Sequence, residues 1–322
     1  MKWSIQRNIL IFLLVICYFY CLFSTLLLLK TKVLKIDFYT RSFRFKDKYV
    51  FVSGFFPVDK IGVRHKIEMY LLWIDWLVTN LKSELFFYTS INFSTYLKKY
   101  NQMSNFHLVL KYQNGYDVSY LRGKKRKYTD LYQKTRLSYR CTPEISGVWN
   151  AKMQFIYEVS SNHKEKWTFW LDAGYYRYKQ FSEIIFPFHE RFQFMNSSVN
   201  LLFITSYQFR LKKSTIMKWV QSETVLGGFF GGNYASILKL YELFVHVHDF
   251  FLNQNIYVGR EELIFSTIFN FYNISAWIVP LFRKTNKQIS KYFCAIPFFA
   301  SKDICNFRSL ELVPLKSFQT VH

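Results

Sequence analysis

One aspartate, Asp172, follows a strongly apolar run, Trp167–Leu171 (WTFWL), and is itself followed by Ala173 and Gly174. In an open α/β sheet, ligands bind outside the carboxyl ends of the strands. An acid at that position can hold a divalent cation that bridges a diphosphate, because Mg²⁺ and Mn²⁺ prefer carboxylate and phosphate oxygens. The small residues beside it would let a nucleotide approach the backbone. The alternative is an aspartate that only caps the next turn.

Four glycines bracket two phenylalanines in the segment Gly227–Gly232 (GGFFGG). Such a segment can form a close-approach loop whose ring faces stack on a sugar or a base. The alternative is a tight turn leading into the following helix, with both phenylalanines buried. The spacing matches neither a dinucleotide-binding fingerprint nor a phosphate-binding P-loop.

Two adjacent acids, Glu261 and Glu262, begin a helical pattern that runs to Phe271. They are candidates for a catalytic base or for a carboxylate pair that binds an acceptor. The alternative is that they only complement the positive end of the helix dipole. His246 and His248 are two residues apart, a spacing that does not put them on one helix face, so a metal pair is not expected there.

These residues need strands and helices to position them. Apolar runs of strand length alternate with segments that repeat at helical spacing. The strands are predicted at Tyr49–Phe56, Glu84–Tyr88, Trp167–Leu171 and Leu201–Thr205, and the helices at Ile67–Leu81, Thr142–Val159, Tyr234–Leu252 and Glu261–Phe271. The alternation predicts one α/β domain with a mainly parallel sheet flanked by helices.

A formal net charge of +22 favours anionic partners. The densest basic run, Arg122–Lys127, is interpreted as a solvated loop, with a phosphate- or lipid-facing patch as the alternative. Three cysteines lie outside the N-terminal apolar segment, so at least one thiol is unpaired. Cys294 and Cys305 could close a short loop in an oxidising compartment.

The segment from Ile9 to Leu29 contains no charged residue, proline or glycine and is long enough to span a membrane as a helix. A cleaved signal peptide would have a shorter apolar region and small residues at its cleavage site, so a retained anchor is predicted. Acceptor sequons at Asn92, Asn196 and Asn273 indicate a lumenal, glycosylated domain. The prediction is a type II protein of the Golgi or endoplasmic reticulum, with a cytosolic tail (1–8), an anchor (9–29), a stem (30–47) and a lumenal domain (48–322).

The order of several pieces between residues 48 and 280 resembles the HtrL/YibB-like family, which is assigned to the GT-A type of nucleotide-sugar glycosyltransferases. The pieces are FVSGFF, KIGVRHKIEMY, FFYTS, FWLDAGYYR, GGFFGG and REELIFS. The resemblance implies a GT-A-like sheet. It also implies that Asp172, Ala173, Gly174 and Arg64 bind the nucleotide sugar, that Gly228, Phe229, Gly231 and Gly232 form an acceptor-side loop, and that Glu261 and Glu262 hold the late acidic position.

Two departures from the family pattern bear on its chemistry. GT-A enzymes commonly carry Asp-x-Asp, whereas Asp172-Ala173-Gly174 has no second acid. The late acidic motif more often reads Asp-Glu-Gln, whereas this chain has Glu261-Glu262-Leu263. Metal use and activity are therefore open at this point.

The resulting hypothesis is a glycosyltransferase that moves a sugar from a nucleotide-sugar donor to a glycan, protein or lipid. Asp172 would hold Mn²⁺ or Mg²⁺ or contact the diphosphate itself, and Glu261 or Glu262 would act as the base. The first alternative is a non-catalytic lumenal binding or scaffold protein on the same fold. The second is a basic membrane protein that grips nucleic acid or anionic lipid; the main hypothesis expects no nucleic-acid partner.

Overall fold

The computed structural model describes residues 48–58, 65–135, 141–196, 201–205, 225–272, 274, 276–280, 289–302, 304–305 and 313–315. The predicted tail, anchor and stem (1–47), together with Arg64 and Asn273, lie outside the described residues. Within the ranges just given, no helix combines the length and apolar character needed to cross a membrane. Asn92, the acceptor of the first sequon, is exposed.

Eight strands form one sheet in the order β3-β2-β1-β4-β6-β5-β7-β8. The strands are β1 (Tyr49–Phe55), β2 (Leu85–Thr89), β3 (Phe106–Val109), β4 (Trp167–Leu171), β5 (Leu201–Thr205), β6 (Val225–Gly232), β7 (Ala276–Pro280) and β8 (Val313–Leu315). β6 is antiparallel to both β4 and β5, and β8 is antiparallel to β7, whereas the other pairings are parallel. Six strands therefore point one way, which confirms the prediction of a mainly parallel sheet in an α/β fold.

Helices flank this sheet. They are α1 (Ile67–Asn80), α2 (Ile91–Ser94), α3 (Lys125–Lys134), α4 (Pro143–Asn162), α5 (Tyr234–Asn253), α6 (Glu261–Phe271) and α7 (Ala295–Phe298). Short 3-10 segments lie at Lys98–Tyr100, Gly115–Asp117, Lys179–Glu183, His189–Asn196 and Lys291–Phe293. The four predicted helices correspond to α1, α4, α5 and α6, with ends that differ by at most a few residues.

The start of α4 shows how the sequence sets an element boundary. Pro143 occupies the first turn, where its missing N–H costs nothing. The Thr142 side chain accepts a hydrogen bond from the Ile145 backbone N–H at 3.5 Å. The helix that follows is buried along most of its length, which brings its side chains against the sheet.

The two faces of the sheet are packed differently. One face, with Val50, Val52 and Phe230, belongs to the main apolar core with residues of α4, α5 and α6. The other face carries an aromatic layer in which Phe169 stacks on Phe51 and on Phe229, each with ring centroids 5.7 Å apart. Because both faces are covered, the central strands read as continuous apolar runs rather than alternating ones.

The basic run Arg122–Lys127 is not a loop throughout, which corrects the interpretation from sequence. Gly123 takes a left-handed turn with φ of 77°, and α3 begins at Lys125. Lysine and arginine favour helices, and Tyr128, fully buried, anchors α3 to the core.

The cysteines outside the N-terminal segment behave as their number predicts. Cys294 and Cys305 form a disulfide with Cα atoms 6.0 Å apart, and Cys141 is a buried free thiol. The two histidines of α5 also follow their spacing: His248 is buried against Tyr128, whereas His246 is exposed.

Candidate functional site

The strand order reverses between β1 and β4. The chain passes from β1 to β2 to β3 on one side of β1 and then returns on its other side as β4. Parallel sheets bind ligands at the carboxyl ends of the strands beside such a topological switch point. Asp172 is the first residue after β4 and therefore stands at this place.

The backbone of Asp172 is held from two directions. Its N–H donates to the carbonyl of Gly228 at 2.9 Å, and its carbonyl accepts from the N–H of Tyr175 at 2.8 Å. The turn bond is thus made by the backbone of Asp172, which leaves the carboxylate available for other partners. The side chain remains 25% exposed, so it faces solvent more than the other acids of the site.

Three side chains hold the Asp172 carboxylate. Its Oδ1 atom accepts from Trp170 Nε1 at 2.7 Å and lies 2.8 Å from Lys152 Nζ. Its Oδ2 atom accepts from the Tyr292 hydroxyl at 3.1 Å. Because an ionised carboxylate offers about four lone-pair sites, these three contacts leave Asp172 one acceptor position for a ligand.

Lys152 lies at the centre of the site. Its side chain projects from α4, is only 5% exposed, and contacts the carboxylates of both Asp172 and Glu261. It also donates to the backbone carbonyl of Gly227 at 3.3 Å. Burial alone would lower the pKa of Lys152, but the two carboxylates outweigh burial and raise that pKa, so the ammonium is charged at neutral pH.

Glu261 and Glu262 meet the site from the first turn of α6. Glu261 is 3% exposed, and its burial raises its pKa to about 7; Glu262 and Asp172 add to the rise, while Lys152 opposes it. Glu262 accepts from the Gly227 N–H at 3.1 Å and lies 3.7 Å from Nη1 of Arg260. The structure therefore brings both predicted acids to Asp172, but it buries them behind β6.

The prediction of a loop or turn at Gly227–Gly232 is wrong. These residues belong to β6, an interior strand between β4 and β5. Phe229 and Phe230 are both fully buried on opposite faces, so neither ring is presented to a ligand. Gly228, Phe229, Gly231 and Gly232 are thus sheet residues and not an acceptor-side loop.

Three glycines of β6 lie where other groups pack closely against the backbone. A Cβ atom on Gly227 would lie 2.1 Å from Oε1 of Glu261, and one on Gly228 would lie 2.5 Å from the Tyr292 hydroxyl. A Cβ on Gly231 would meet the Thr168 carbonyl oxygen at 2.4 Å. Glycine is poor in strands, and here it marks close approach of other groups to the backbone.

Ala173 and Gly174 do not leave the open approach that their size suggested. Ala173 is 4% exposed, and a Cβ on Gly174 would already meet Arg177 at 3.1 Å. The Arg177 guanidinium lies over the Trp73 ring at 4.3 Å and over the Phe293 ring at 4.0 Å. The space beside the glycine is filled by the protein's own cation and aromatic rings.

Sequence reasoning missed Lys152, Tyr292 and Trp170. Lys152 had one detectable signal, since it is the only charged residue between Glu144 and Glu158 of a largely buried helix. Nothing local marks Tyr292, which reaches Asp172 from 120 residues further along the chain.

The residues present do not fit a divalent metal held jointly by Asp172 and Glu261. The oxygen atoms that such an ion would take are already in contact with the Lys152 ammonium. Among the described residues, no group of three or more His, Cys, Asp or Glu side chains is arranged to hold a metal ion.

No protein-family model matches the chain, and no curated protein matches it at a significant level. Fold and site together define an α/β domain whose topological switch point carries one partly exposed carboxylate backed by a buried ammonium.

Proposed function

We propose that this domain is a GT-A-like glycosyltransferase of the HtrL/YibB-like kind, which transfers a sugar from a nucleotide-sugar donor to a glycan, protein or lipid acceptor. The observation that carries the proposal is the position of Asp172. It is a partly exposed carboxylate at the switch point of a mainly parallel sheet, where α/β proteins bind nucleotides.

The fixed geometry of Asp172 supports a role in binding the donor. Its donors Lys152, Trp170 and Tyr292 come from three separate parts of the chain and hold the carboxylate in place before any ligand arrives. Preorganised polar groups of this kind need little rearrangement when a ligand binds. The remaining lone pair of Asp172 suits a hydroxyl group of the donor better than a phosphate, because a carboxylate repels phosphate oxygens.

Glu261 is the second group of interest. Its pKa of about 7 lets it release or take up a proton near neutral pH. Its burial beneath β6 means that in the described arrangement it acts on Asp172 through Lys152 and not by touching an acceptor. The base assigned to Glu261 or Glu262 from sequence stays a prediction.

Two observations support a compartment of the secretory pathway. The Cys294–Cys305 disulfide persists in oxidising compartments such as the endoplasmic reticulum lumen. The sequon at Asn92 is exposed and so accessible for glycan addition. When the protein is expressed in a secretory cell, removal of its glycans should change its electrophoretic mobility. Asn92→Gln should reduce this change by the contribution of one glycan. A protein without a glycan at Asn92 would count against lumenal placement.

The test of the function is a panel of uridine and guanosine diphosphate sugars. A ligand that binds the folded state raises its melting temperature by mass action, and hydrolysis or transfer releases the nucleoside diphosphate. The rise in melting temperature and the release of nucleoside diphosphate should both be lost in Asp172→Asn. Both should be retained in Asp130→Asn, which changes an exposed acid on α3. Equal binding by native protein and Asp172→Asn would overturn the proposal.

A non-catalytic binding protein on the same fold is the second candidate. The specific observation in its favour is that both Asp172 and Glu261 are engaged by one buried ammonium. Donor binding that depends on Asp172 but gives no release of nucleoside diphosphate, with any acceptor tried, would select it.

A further inference from the structure

We propose that the Lys152 ammonium fills what is otherwise a divalent-cation site, so that native protein takes no divalent ion there and removal of the ammonium opens the site to Mn²⁺. The ligand atoms of this site are Oδ1 of Asp172, Oε1 of Glu261 and the carbonyl oxygen of Gly227. The inference concerns cation binding and does not depend on sugar transfer.

Two carboxylate oxygens and one backbone carbonyl oxygen surround a single point, which Lys152 Nζ occupies. Carboxylate and backbone carbonyl oxygens are the ligands that hard divalent cations take in proteins. The donor set is therefore that of a cation site, and the cation in it is a side chain.

The Lys152 ammonium fits these three oxygen atoms. An ammonium has three N–H donors and no acceptor, and three acceptors surround it here. The side chain is 5% exposed, and a buried ammonium is tolerated only when its charge and its hydrogen bonds are both satisfied. Gly227 contributes to this fit because any side chain at that position would displace Glu261.

Three carboxyl groups, those of Asp172, Glu261 and Glu262, meet at the site, and Arg260 lies 3.7 Å from Glu262. With Lys152 removed, Asp172 and Glu261 lose the cation that contacts both of them, which is the condition under which a divalent ion binds.

The Asp172 side chain is 25% exposed, whereas those of Lys152 and Glu261 are 5% and 4% exposed. Solvent therefore meets the site at Asp172, and this is the side from which an ion would approach.

The experiment is titration with Mn²⁺ alone, followed by electron paramagnetic resonance and calorimetry, on native protein and on Lys152→Ala. Native protein should show no Mn²⁺ site that depends on Asp172. Lys152→Ala should bind one Mn²⁺, and Asp172→Asn added to it should weaken that binding by at least about tenfold, since loss of a residue that only supports the ligands already costs that much. Lys152→Arg keeps the charge and should behave like native protein.

The design also covers the case in which Lys152→Ala folds poorly. Lys152→Gln removes the charge and brings an amide oxygen, which can itself serve as a ligand, to the two carboxylates, so its melting temperature should rise on addition of Mn²⁺. Absence of Mn²⁺ binding in folded Lys152→Ala or Lys152→Gln would overturn the proposal, because the ammonium would then be only a structural ion pair. An Asp172-dependent Mn²⁺ site in native protein would also overturn it.

One consequence rests on the proposed function. If native protein transfers sugar, transfer should be insensitive to a metal chelator. Failure to bind any nucleotide sugar would remove the proposed function and leave the Mn²⁺ result unaffected, so the two failures are distinguishable.

Discussion

Lys152 Nζ lies 2.8 Å from Oδ1 of Asp172, and this contact joins the middle of a buried helix to the carboxyl end of a central strand. The same ammonium contacts Glu261 in the first turn of α6. One side chain thus connects α4, the end of β4 and the start of α6, and the geometry of the candidate site depends on it.

Replacement of Lys152 by methionine should reduce the free energy of unfolding by about 3 to 5 kcal/mol, because breaking a buried ion pair leaves uncompensated buried charge. Urea unfolding at pH 8, where Glu261 is mostly ionised, is the measurement. Lys125→Met is the matched control, since Lys125 and Glu144 form an exposed pair at 3.4 Å with side chains 59% and 47% exposed. Exposed pairs contribute about 1 kcal/mol or less. A loss at Lys152 no larger than at Lys125 would contradict the central role of this lysine.

The pKa of Glu261 predicts a specific dependence of stability on pH. The folded chain holds this proton up to a pH of about 7, whereas the ordinary value of 4.5 applies when the chain is unfolded. Between these values the folded state binds more protons, so stability falls as pH rises. The stability of native protein relative to Glu261→Gln should therefore drop by about 3 kcal/mol from pH 4.5 to 8.

The control for this titration is Glu144→Gln, which changes an exposed acid near the start of α4. The pH profile of this variant should run parallel to that of native protein. A profile of Glu261→Gln that also runs parallel would show that Glu261 titrates in its ordinary range.

Local patterns predicted four of the eight described strands and the four longest helices, because burial on both sheet faces and amphipathic helix faces leave marks in composition. The run Trp167–Leu171 and the acidic start at Glu261 are examples, and both elements begin where the pattern places them. The position of Asp172 at the end of β4 follows from the same reasoning.

The strand at Gly227–Gly232 and the partners of Asp172 could not be predicted, because they depend on contacts that the local sequence does not encode. Gly227–Gly232 has the composition of a turn, yet it forms an interior strand. Glycines stand there because Glu261, Tyr292 and the backbone of β4 occupy the space that side chains would need. Trp170 lies in β4 beside Asp172, but the other two side-chain partners, Lys152 and Tyr292, come from α4 and from the segment near Cys294.

Alanine substitutions in β6 should separate two kinds of close approach. Gly231→Ala meets the Thr168 carbonyl oxygen, which cannot move, whereas Gly228→Ala meets the side chain of Tyr292. Each should cost about 1 to 3 kcal/mol by overpacking. Addition of Tyr292→Ala should recover part of the loss in Gly228→Ala and none in Gly231→Ala, as judged by urea unfolding of the four variants and the Tyr292→Ala parent. Equal recovery in both would mean that Tyr292 does not pack on Gly228.

The Cys294–Cys305 disulfide should support the site as well as the fold. It closes a loop of 11 residues' separation, for which removal of the link costs about 3 kcal/mol in the chain-entropy model. The linked segment follows Tyr292, which donates to Asp172 at 3.1 Å and whose carbonyl accepts from Tyr175. Cys294→Ser with Cys305→Ser should therefore lower the melting temperature and weaken donor binding together. A reducing agent should reproduce both effects in native protein and add nothing in the double variant. Loss of stability with unchanged donor binding would show that Tyr292 is held by its contacts with Asp172 and Tyr175 without help from the disulfide.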